Sequence, residues 1–317
     1  SLTTKQKMDE NTLVGIASNS KGFTGTALAM LADEGKLNFD DKVTKFIPEF
    51  RMYDPYVTQE ITVKDLITHR AGLGLGQGDL MFFPEGGNLT VNDIIHNVRY
   101  LKPEHSFRNT MDYNNIMFIV AGEVIKRVSG LSWAEFIEQR ILKPVGMKSS
   151  FGNYNRAKAA GVKNIIDAHA PVDGKVIQVP HDWNETADAA GGIISNITDM
   201  GIWADFLMNG FTTKDGKKLV SDKQIQQLWN LQIATPVALK NAYDSNFGGY
   251  GLGWFLTDVK GHKQVYHTGG LIGTVTQFTL IPDMKLGIIV LTNQQSGAAF
   301  SAVTNAVKDA YLGIEDR

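Results

Sequence analysis

Apolar residues recur along most of the chain at the three- and four-residue spacing that is typical of helices. A run of small and apolar residues at 22–37 predicts a buried helix that ends at Gly35. Similar runs predict helices at 64–68, 91–100, 116–128, 133–142, 198–208, 222–231 and 297–312. Pro144 and Gly146 follow one of these runs, and we expect them to end the helix at 133–142.

Toward the C-terminus the pattern changes to the period of two that is typical of strands. It predicts strands at 251–257, 274–281 and 285–292, and the Pro-Asp-Met sequence between the last two predicts a hairpin turn. No internal repeat is visible. The strands therefore lie late in the chain, after a long and mainly helical part.

The order of helices and strands suits an α/β (α+β) fold with two parts. We expect residues 1–17 and 183–317 to form a sheet domain. Residues 18–182 are then a mostly helical domain with long loops, inserted into the sheet domain.

Composition excludes several classes of function. The 317-residue chain has a net charge of −2, which favours neither nucleic acid nor an anionic membrane surface as a partner. It contains no cysteine, which excludes disulfides, thiol catalysis and cysteine metal sites. Its seven histidines are scattered without an H-E-x-x-H motif, so we expect no metal and no other cofactor. No apolar run is long enough to cross a bilayer, and no signal-peptide pattern is visible.

Two common functional motifs are also missing. No serine lies in the G-x-S-x-G pattern of an α/β-hydrolase nucleophile elbow. The glycine-rich segment 72–78 fits neither G-x-G-x-x-G nor the P-loop pattern, and no predicted strand precedes it. We interpret this segment as a flexible loop.

The first long helix begins with a hydroxyl and an amine one turn apart, at Ser18 and Lys21. Residues at i and i+3 share a helix face, so Lys21 can reach the Ser18 hydroxyl and help to remove its proton. If Ser18 caps the helix, the helix dipole also favours its alkoxide and an oxyanion beside it. The plainer alternative is that Ser18 is only a cap and Lys21 a solvated residue of the first turn. The S-x-x-K spacing alone does not decide between the two.

Two more short motifs follow in order. Tyr-Asn-Asn at 113–115 precedes the predicted helix at 116–128, and His-Thr-Gly-Gly at 267–270 precedes the predicted strand at 274–281. With the serine–lysine pair they make the order S-x-x-K, Y-x-N, H-T-G. In this order the chain resembles the serine β-lactamase and penicillin-binding protein superfamily, specifically its class C-like branch of β-lactamases, D-peptidases and esterases.

The resemblance extends over nearly the whole chain. Residues 61–73 are similar to the family segment that ends T-H-x-S-G-L, except that Ala71 replaces the serine. Residues 189–193, followed by 198–200, resemble the family's Gly-Gly turn into a helix, and residues 250–254 resemble the first strand of its C-terminal sheet. The resemblance implies an antiparallel sheet flanked by helices, with the active site in the cleft beside the helical domain. The glycine-rich loop can border this cleft.

One departure from the family concerns the N-terminal end. Family members usually have a helix and two or three strands before S-x-x-K, whereas only 17 residues precede Ser18 here. We expect the central sheet to lack those leading strands, which leaves an apolar face exposed and one edge unpaired.

The mechanism that the resemblance implies is acyl transfer through a serine. Ser18 attacks a carbonyl, and Lys21 and Tyr113 remove its proton and later return it to the leaving group. An amine and a phenol this close titrate as a pair, so the sequence leaves open which of them holds the proton at rest. By resemblance, the backbone N–H groups of Ser18 and Gly270 form the oxyanion hole.

The family pattern also implies the residues that bind substrate. Asn115 would hold an amide or ester oxygen and steady Lys21, while His267, Thr268 and Gly269 would form the strand edge along which the substrate lies. Tyr113, Asn115 and His267 each have a purely structural alternative. Tyr113 and Asn115 can cap the following helix, and a lone strand histidine such as His267 is often structural.

The remaining histidines, including His69 and His181, we interpret as structural. Packing or loop hydrogen bonds are the ordinary reason for a buried histidine outside a motif.

The third motif bears on the substrate. Most β-lactamases of the family carry lysine at the position of His267, whereas its esterases and some of its D-peptidases carry histidine. An ordinary histidine has a pKa of about 6.5 and is mostly neutral at pH 7. We therefore expect small esters or D-amino-acid amides and peptides as substrates, with β-lactamase or D-Ala-D-Ala carboxypeptidase activity as the alternative.

A non-catalytic binding or scaffold protein is the remaining alternative. The presence of Ser18, Lys21 and Tyr113 together counts against it, because a scaffold needs none of them. The expected partner is a small-molecule or peptide substrate, with no nucleic acid and no membrane-spanning segment, and the oligomeric state is left open. The resemblance favours the cell envelope as the location.

Overall fold

The computed structural model describes residues 1–84, 87–181 and 184–314. Its α-helices, in chain order, are α1 Ser20–Asp33, α2 Val43–Phe46, α3 Pro55–Glu60, α4 Val63–Leu66, α5 Val91–Asn97, α6 Ile116–Ser129, α7 Trp133–Ile137, α8 Lys143–Val145, α9 Tyr154–Ala159, α10 Asp188–Gly191, α11 Ile197–Met208, α12 Asp222–Leu228 and α13 Gly297–Leu312. The strands are β1 Val14–Gly15, β2 Ala168–Val172, β3 Lys175–Val179, β4 Ile194–Ser195, β5 Ile233–Ala234, β6 Gly248–Tyr250, β7 Phe255–Val259, β8 His262–Leu271, β9 Thr274–Ile281 and β10 Leu286–Leu291.

The main sheet has six antiparallel strands in the order β10-β9-β8-β7-β6-β5. The strands of this sheet all come from the C-terminal part, and within the described ranges no strand that precedes Ser18 joins it. This agrees with the expectation that the sheet lacks leading strands. The short strand β1 pairs instead with β4, and β2 and β3 form a separate hairpin.

Helix α1 lies at the centre of the molecule and is buried from Ser20 to Leu31. The ring of Phe23 stacks on Trp203 of α11 at 3.9 Å between centroids. On another side α1 meets the turn between β6 and β7, where a Cβ at Gly22 would lie 2.2 Å from the ring of Trp254. Glycine at this position therefore lets α1 approach the sheet closely.

Several predicted elements agree with the structure to within about two residues. They are the helices at 116–128, 198–208 and 297–312 and the strands at 274–281 and 285–292, with the Pro-Asp-Met turn between the last two. The helix predicted from the run at 22–37, and expected to end at Gly35, is α1, which begins at Ser20 and whose last residue is Asp33. Gly35, with its φ of 69°, follows the C-terminus of this helix as expected. The helix at 133–142 runs on through a π-helical turn and Pro144 to Val145.

The strand predictions fail in two places. Residues 251–254 form a turn rather than the start of a strand, because Gly253 has a φ of 85° and strand β7 begins only at Phe255. The longest strand, β8, was not among the three predicted ones, and the β2–β3 hairpin interrupts the part predicted to be helical. The sheet is therefore larger than the alternation pattern indicated.

The division into a sheet domain and a helical domain stays a prediction. The boundary expected between residues 182 and 183 lies outside the described residues. Within the described ranges, no helix combines the length and the apolar character needed to span a bilayer.

Candidate active site

Ser18 lies in a 3-10 turn, Ala17–Asn19, that leads directly into α1. The side chain of Asn19 ties this turn to the sheet, since its Nδ2 donates to the carbonyl of Ile16 at 3.1 Å and to Oγ1 of Thr276 at 2.8 Å. Ala17 has a φ of 50°, a left-handed conformation that is costly for a residue with a Cβ. Ser18 does not cap the helix, because α1 begins at Ser20 and the capping position is Asn19. Ser18 instead lines a cavity.

Strand β8 runs directly against this turn, and Gly269 makes the approach possible. A Cβ at this position would lie 2.3 Å from the carbonyl oxygen of Ile16 and 3.0 Å from the Cβ of Ala17. The next residue, Gly270, is exposed and lines the cavity beside Ser18. Gly269 thus packs the strand onto the serine turn, while Gly270 presents its backbone at the cavity.

The two neighbouring glycines of β8 should respond differently to alanine. Gly269→Ala should lower the free energy of unfolding by about 1–3 kcal/mol, because neighbouring backbone would have to move to admit the methyl group. Gly270→Ala is the matched control, since a Cβ there meets no heavy atom within 4 Å. Denaturant unfolding of both variants checks this. Equal stability of the two would contradict the packing role of Gly269.

Lys21 is fully buried and its amine is held by three acceptors. Nζ lies 2.9 Å from Oγ of Ser18, 2.8 Å from Oδ1 of Asn115 and 2.8 Å from the carbonyl oxygen of Ala190. Burial lowers the pKa of Lys21 to about 7, although the nearby carboxylate of Asp79 opposes this shift. A large fraction of the amine is therefore neutral near pH 7.

The neutral form of this amine is oriented by its contacts. Two of its three partners, the amide oxygen of Asn115 and the carbonyl of Ala190, can only accept hydrogen bonds. They take the two N–H groups of a neutral Lys21, which leaves its lone pair facing Ser18. In that state the Ser18 hydroxyl donates to Lys21, the geometry a general base requires.

Tyr113 lies beside the same amine, whose Nζ is 4.9 Å from the centre of the Tyr113 ring. Burial raises the pKa of the Tyr113 phenol well above its usual range, and a side-chain hydrogen bond with Ser18 offsets part of the rise. The phenol is therefore neutral at pH 7 and is a proton donor or relay rather than a phenolate base. These two pKa shifts favour Lys21 over Tyr113 as the base, and the assignment stays a prediction.

The ring of His69 packs against the ring of Tyr113. The two rings lie 4.1 Å apart between centroids, with their planes tilted by 31°, and Nδ1 of His69 accepts from the backbone N–H of Asn114 at 3.1 Å. His181 lies away from this cluster, stacked on Tyr154 and hydrogen-bonded to the carbonyl of Ile166. Both contacts are packing and loop bonds of the kind expected for structural histidines.

His267 does not take the position expected for a substrate contact. Its side chain is only 1% exposed, its Nδ1 donates to the carbonyl of Thr268 at 2.6 Å, and its Nε2 accepts from the hydroxyl of Tyr250 at 2.8 Å. Burial lowers the pKa of His267 to about 3, with the charge of Lys21 adding to the effect. The ring is therefore neutral at pH 7, as the ordinary pKa of histidine led us to expect, and both of its nitrogens are occupied. Contact of His267 with substrate stays a prediction.

The cavity at Ser18 has a volume of about 410 Å³. It is lined by Ala17, Ser18, Asp79, Phe82, Phe83, Asn115, Asn184, Ala187, Ala190, Gly191, Gly270, Leu271, Ile272 and Gln295. Ser18, Asn115 and Gly270 are thus brought together as expected, and Lys21 lies directly behind Ser18. Thr268 and Gly269 are not part of the lining, and their contact with substrate stays a prediction.

Asp79 is the site residue that sequence reasoning missed. It directly follows the glycine-rich segment 72–78, and Asp79 lines the cavity whereas the residues of that segment do not. The segment is held in place by Asn114, whose Nδ2 donates to the carbonyls of Gly74 and Gln77 at 3.1 and 2.9 Å. The sequence signal that could have pointed to this loop is Asn114, the middle residue of Tyr-Asn-Asn, because a buried asparagine needs hydrogen-bond partners. In the described part of the chain, no cluster of three or more metal-ligating side chains is present.

Comparison with known proteins identifies the family and the fold of the chain. A model of the family described as Beta-lactamase matches residues 1–312. A curated protein named unguisins hydrolase, from Aspergillus campestris, is 27% identical over 314 residues, which cover 96% of this chain and 57% of that protein. The chain spans about half the length of the curated relatives it matches.

Solved structures match over almost the whole chain. The octameric penicillin-binding protein homologue from Pyrococcus abyssi has a TM-score of 0.81 and 26% identity, over 98% of this chain and 68% of that one. A D-stereospecific amidohydrolase from Streptomyces has a TM-score of 0.75 and 22% identity, over 95% of this chain and 87% of that one. These matches confirm the expected fold class.

Proposed function

Because the chain belongs to the beta-lactamase family, we propose that it is a serine hydrolase that acts through an acyl-enzyme on Ser18. The observation that carries the proposal is the buried Lys21 amine, 2.9 Å from the Ser18 hydroxyl and held by two further acceptors. Burying a lysine costs free energy of folding, which a purely structural role would not explain. With a pKa of about 7, however, Lys21 can act as a general base near neutral pH.

The reaction follows from these contacts. The Ser18 hydroxyl passes its proton to the neutral Lys21 as Oγ attacks the substrate carbonyl, and the oxyanion is held by the N–H groups of Ser18 and Gly270. The proton returns through the Tyr113 phenol to the leaving group, which departs and leaves an ester on Ser18. Water then attacks this ester with the same groups in reverse, releasing the acid and restoring the Ser18 hydroxyl.

The lining of the cavity supports small esters or D-amino-acid amides and peptides as substrates. Its outer wall is apolar, with Phe82, Phe83 and Leu271, and suits an apolar side chain. Among the described lining residues the charged side chain is an acid, Asp79, and the lining includes no lysine or arginine that would pair with the carboxylate of a β-lactam. His267 supplies no charge either, because it is buried and neutral.

The division into domains belongs to the same proposal. The cleft would lie between a sheet domain of residues 1–17 and 183–317 and a helical domain of residues 18–182. The residues that line the cavity fit this division, since Gly270 belongs to the proposed sheet domain and Asp79 to the proposed helical domain. We further propose, from the family resemblance, that the protein acts in the cell envelope.

A substrate panel with matched chromophores tests the proposed function. We expect p-nitrophenyl esters or D-aminoacyl p-nitroanilides to be turned over with a kcat/KM at least about tenfold above that of a chromogenic cephalosporin, because the cavity lacks a cation for the cephalosporin carboxylate. A cephalosporin that is the best substrate would favour the β-lactamase alternative. The absence of turnover with every member of the panel would contradict a hydrolase.

A further inference from the structure

His69 contacts the chain on both sides of Tyr113. Its carbonyl oxygen accepts from the backbone N–H of Asp112 at 2.6 Å, and its Nδ1 accepts from the backbone N–H of Asn114 at 3.1 Å. Between these two bonds the ring of His69 lies against the ring of Tyr113, at 4.1 Å between centroids. One histidine therefore holds the backbone before and after the tyrosine as well as the tyrosine ring.

The bond to Asn114 requires a neutral imidazole. Burial lowers the pKa of His69 well below its usual value, and the charge of Lys21 adds to the effect. Because Nδ1 accepts a hydrogen bond, the hydrogen of the neutral ring is on Nε2. In the part of the chain that the structure describes, this buried Nε2 has no hydrogen-bond partner. An unpaired buried donor costs free energy that an apolar ring would not, so packing alone does not explain a histidine here.

The backbone of His69 is unfavourable as well. Its φ of 55° lies in the left-handed region, which is costly for a residue with a Cβ. The next residue, Arg70, anchors this conformation, since its Nε donates to the buried carboxylate of Asp65 at 2.6 Å and its carbonyl accepts from the backbone N–H of Arg108 at 2.8 Å. In the conformation held this way, the carbonyl and the ring of His69 both face residues 112–114.

The other ring contacts of Tyr113 are longer. Among the described residues, the rings of His267 and Phe255 lie 6.2 and 6.4 Å from the Tyr113 ring between centroids. The phenol must nevertheless reach both Ser18 and the leaving group, and proton transfer tolerates little displacement of the group that carries it out. The close contacts that fix the tyrosine are therefore those of His69.

We propose that His69 is a positioning residue that holds the Tyr113 phenol where it returns the proton to the leaving group. His69 does not line the cavity, so it acts through Tyr113 and touches no substrate. This inference rests on the proposed function, because it assigns a further residue to the same reaction.

The test compares two esters of one acid, the ethyl and p-nitrophenyl esters of 3-phenylpropionic acid. Ethoxide is a poor leaving group and needs a proton, whereas p-nitrophenolate leaves as a stable anion. The kcat/KM for the ethyl ester divided by that for the p-nitrophenyl ester therefore reports proton delivery to the leaving group. This ratio does not depend on the fraction of the protein that is folded, so a loss of stability alone leaves it unchanged.

Two replacements of His69 remove its contacts with the tyrosine motif. His69→Gly tolerates the left-handed backbone but has no ring, and we expect it to lower the ratio by at least about tenfold. If this variant does not fold, His69→Phe carries the same expectation, because it keeps a ring beside Tyr113 but cannot accept the N–H of Asn114. An unchanged ratio in the variant that folds would overturn the inference.

A conservative variant and a control complete the set. His69→Asn tolerates a left-handed backbone and places an oxygen where Nδ1 lies, so it should keep the ratio within about threefold of the unaltered protein. An asparagine variant as impaired as His69→Gly would overturn the role of Nδ1. His181→Gly is the matched control, since it removes a histidine ring that stacks on Tyr154 instead, and we expect the ratio to stay within about threefold.

A double variant shows whether His69 acts through Tyr113. In a protein that already carries Tyr113→Phe the phenol is absent, so adding His69→Gly should lower the ratio no further. A further fall of tenfold would overturn the inference. If the unaltered protein hydrolyses neither ester, the proposed function is contradicted instead.

Discussion

Replacing Ser18 by alanine is expected to lower kcat/KM for the best substrate of the panel by at least about 10⁴-fold, because no acyl-enzyme can form without the hydroxyl. The buried Lys21 would keep its contacts with Asn115 and Ala190, so the fold should survive the change. The measurement is steady-state hydrolysis at equal concentrations of folded protein.

Ser20 provides a matched control for this variant. It lies two residues away, is also buried, and its Oγ accepts from the backbone N–H of Ile193 at 3.1 Å without lining the cavity. Ser20→Ala should therefore cost about 1 kcal/mol of stability and leave turnover within about tenfold. A Ser18→Ala variant that keeps most of its activity, or a larger loss in Ser20→Ala, would contradict the assignment of the nucleophile.

Tyr113→Phe is expected to lower turnover by about 10²–10⁴-fold, the usual cost of removing a positioned acid–base group. The phenol is neutral at pH 7, so its removal changes no charge near Lys21. The rise of kcat/KM with pH, as Lys21 loses its proton around pH 7, should therefore appear in both proteins. Below this pH Lys21 is protonated and the rate should fall in both.

The hydroxyl of Tyr250 offers the control for this second variant. It is buried and donates to Nε2 of His267 rather than to the serine. Tyr250→Phe should therefore reduce turnover far less than Tyr113→Phe does. If Tyr113→Phe keeps its activity within a few fold of the unaltered protein, Lys21 carries out the proton transfer without Tyr113. If the rise of kcat/KM near pH 7 is absent from Tyr113→Phe, the base is Tyr113 rather than Lys21.

The sequence could predict the residues that meet at the site, because their order and spacing are local. Ser18 and Lys21 lie three positions apart, so a helical turn brings them together whatever surrounds it. The junction of Asn115 with Lys21 joins parts of the chain that are 94 residues apart, and here the family resemblance rather than any local pattern supplied the expectation.

The environment of each residue could not be predicted in the same way. The pKa of Lys21 depends on its enclosure by other segments. The burial of the His267 ring, which lowers its pKa, likewise depends on neighbouring strands, one of which carries Tyr250. A histidine at a strand position gives no sign of whether its ring faces a cavity or a neighbouring hydroxyl. Asp79 was missed because its role depends on a loop that Asn114 holds in place.

The errors in the fold have similar causes. Strand β8 has two glycines just before its last residue and carries polar residues on both faces, so its alternation is weak although it lies inside the sheet. Helix α1 is buried on nearly every side, so its apolar residues do not form a single stripe that would mark its ends. In both elements, tertiary contacts override the local pattern.

The central claim is that Ser18 becomes acylated. Its most direct test is intact-mass analysis and peptide mapping after treatment with a fluorophosphonate, which reacts with activated serine hydroxyls. The account predicts a single adduct on the peptide that contains Ser18 and none in the Ser18→Ala variant. An adduct on another residue, or an equal adduct in the variant, would contradict it.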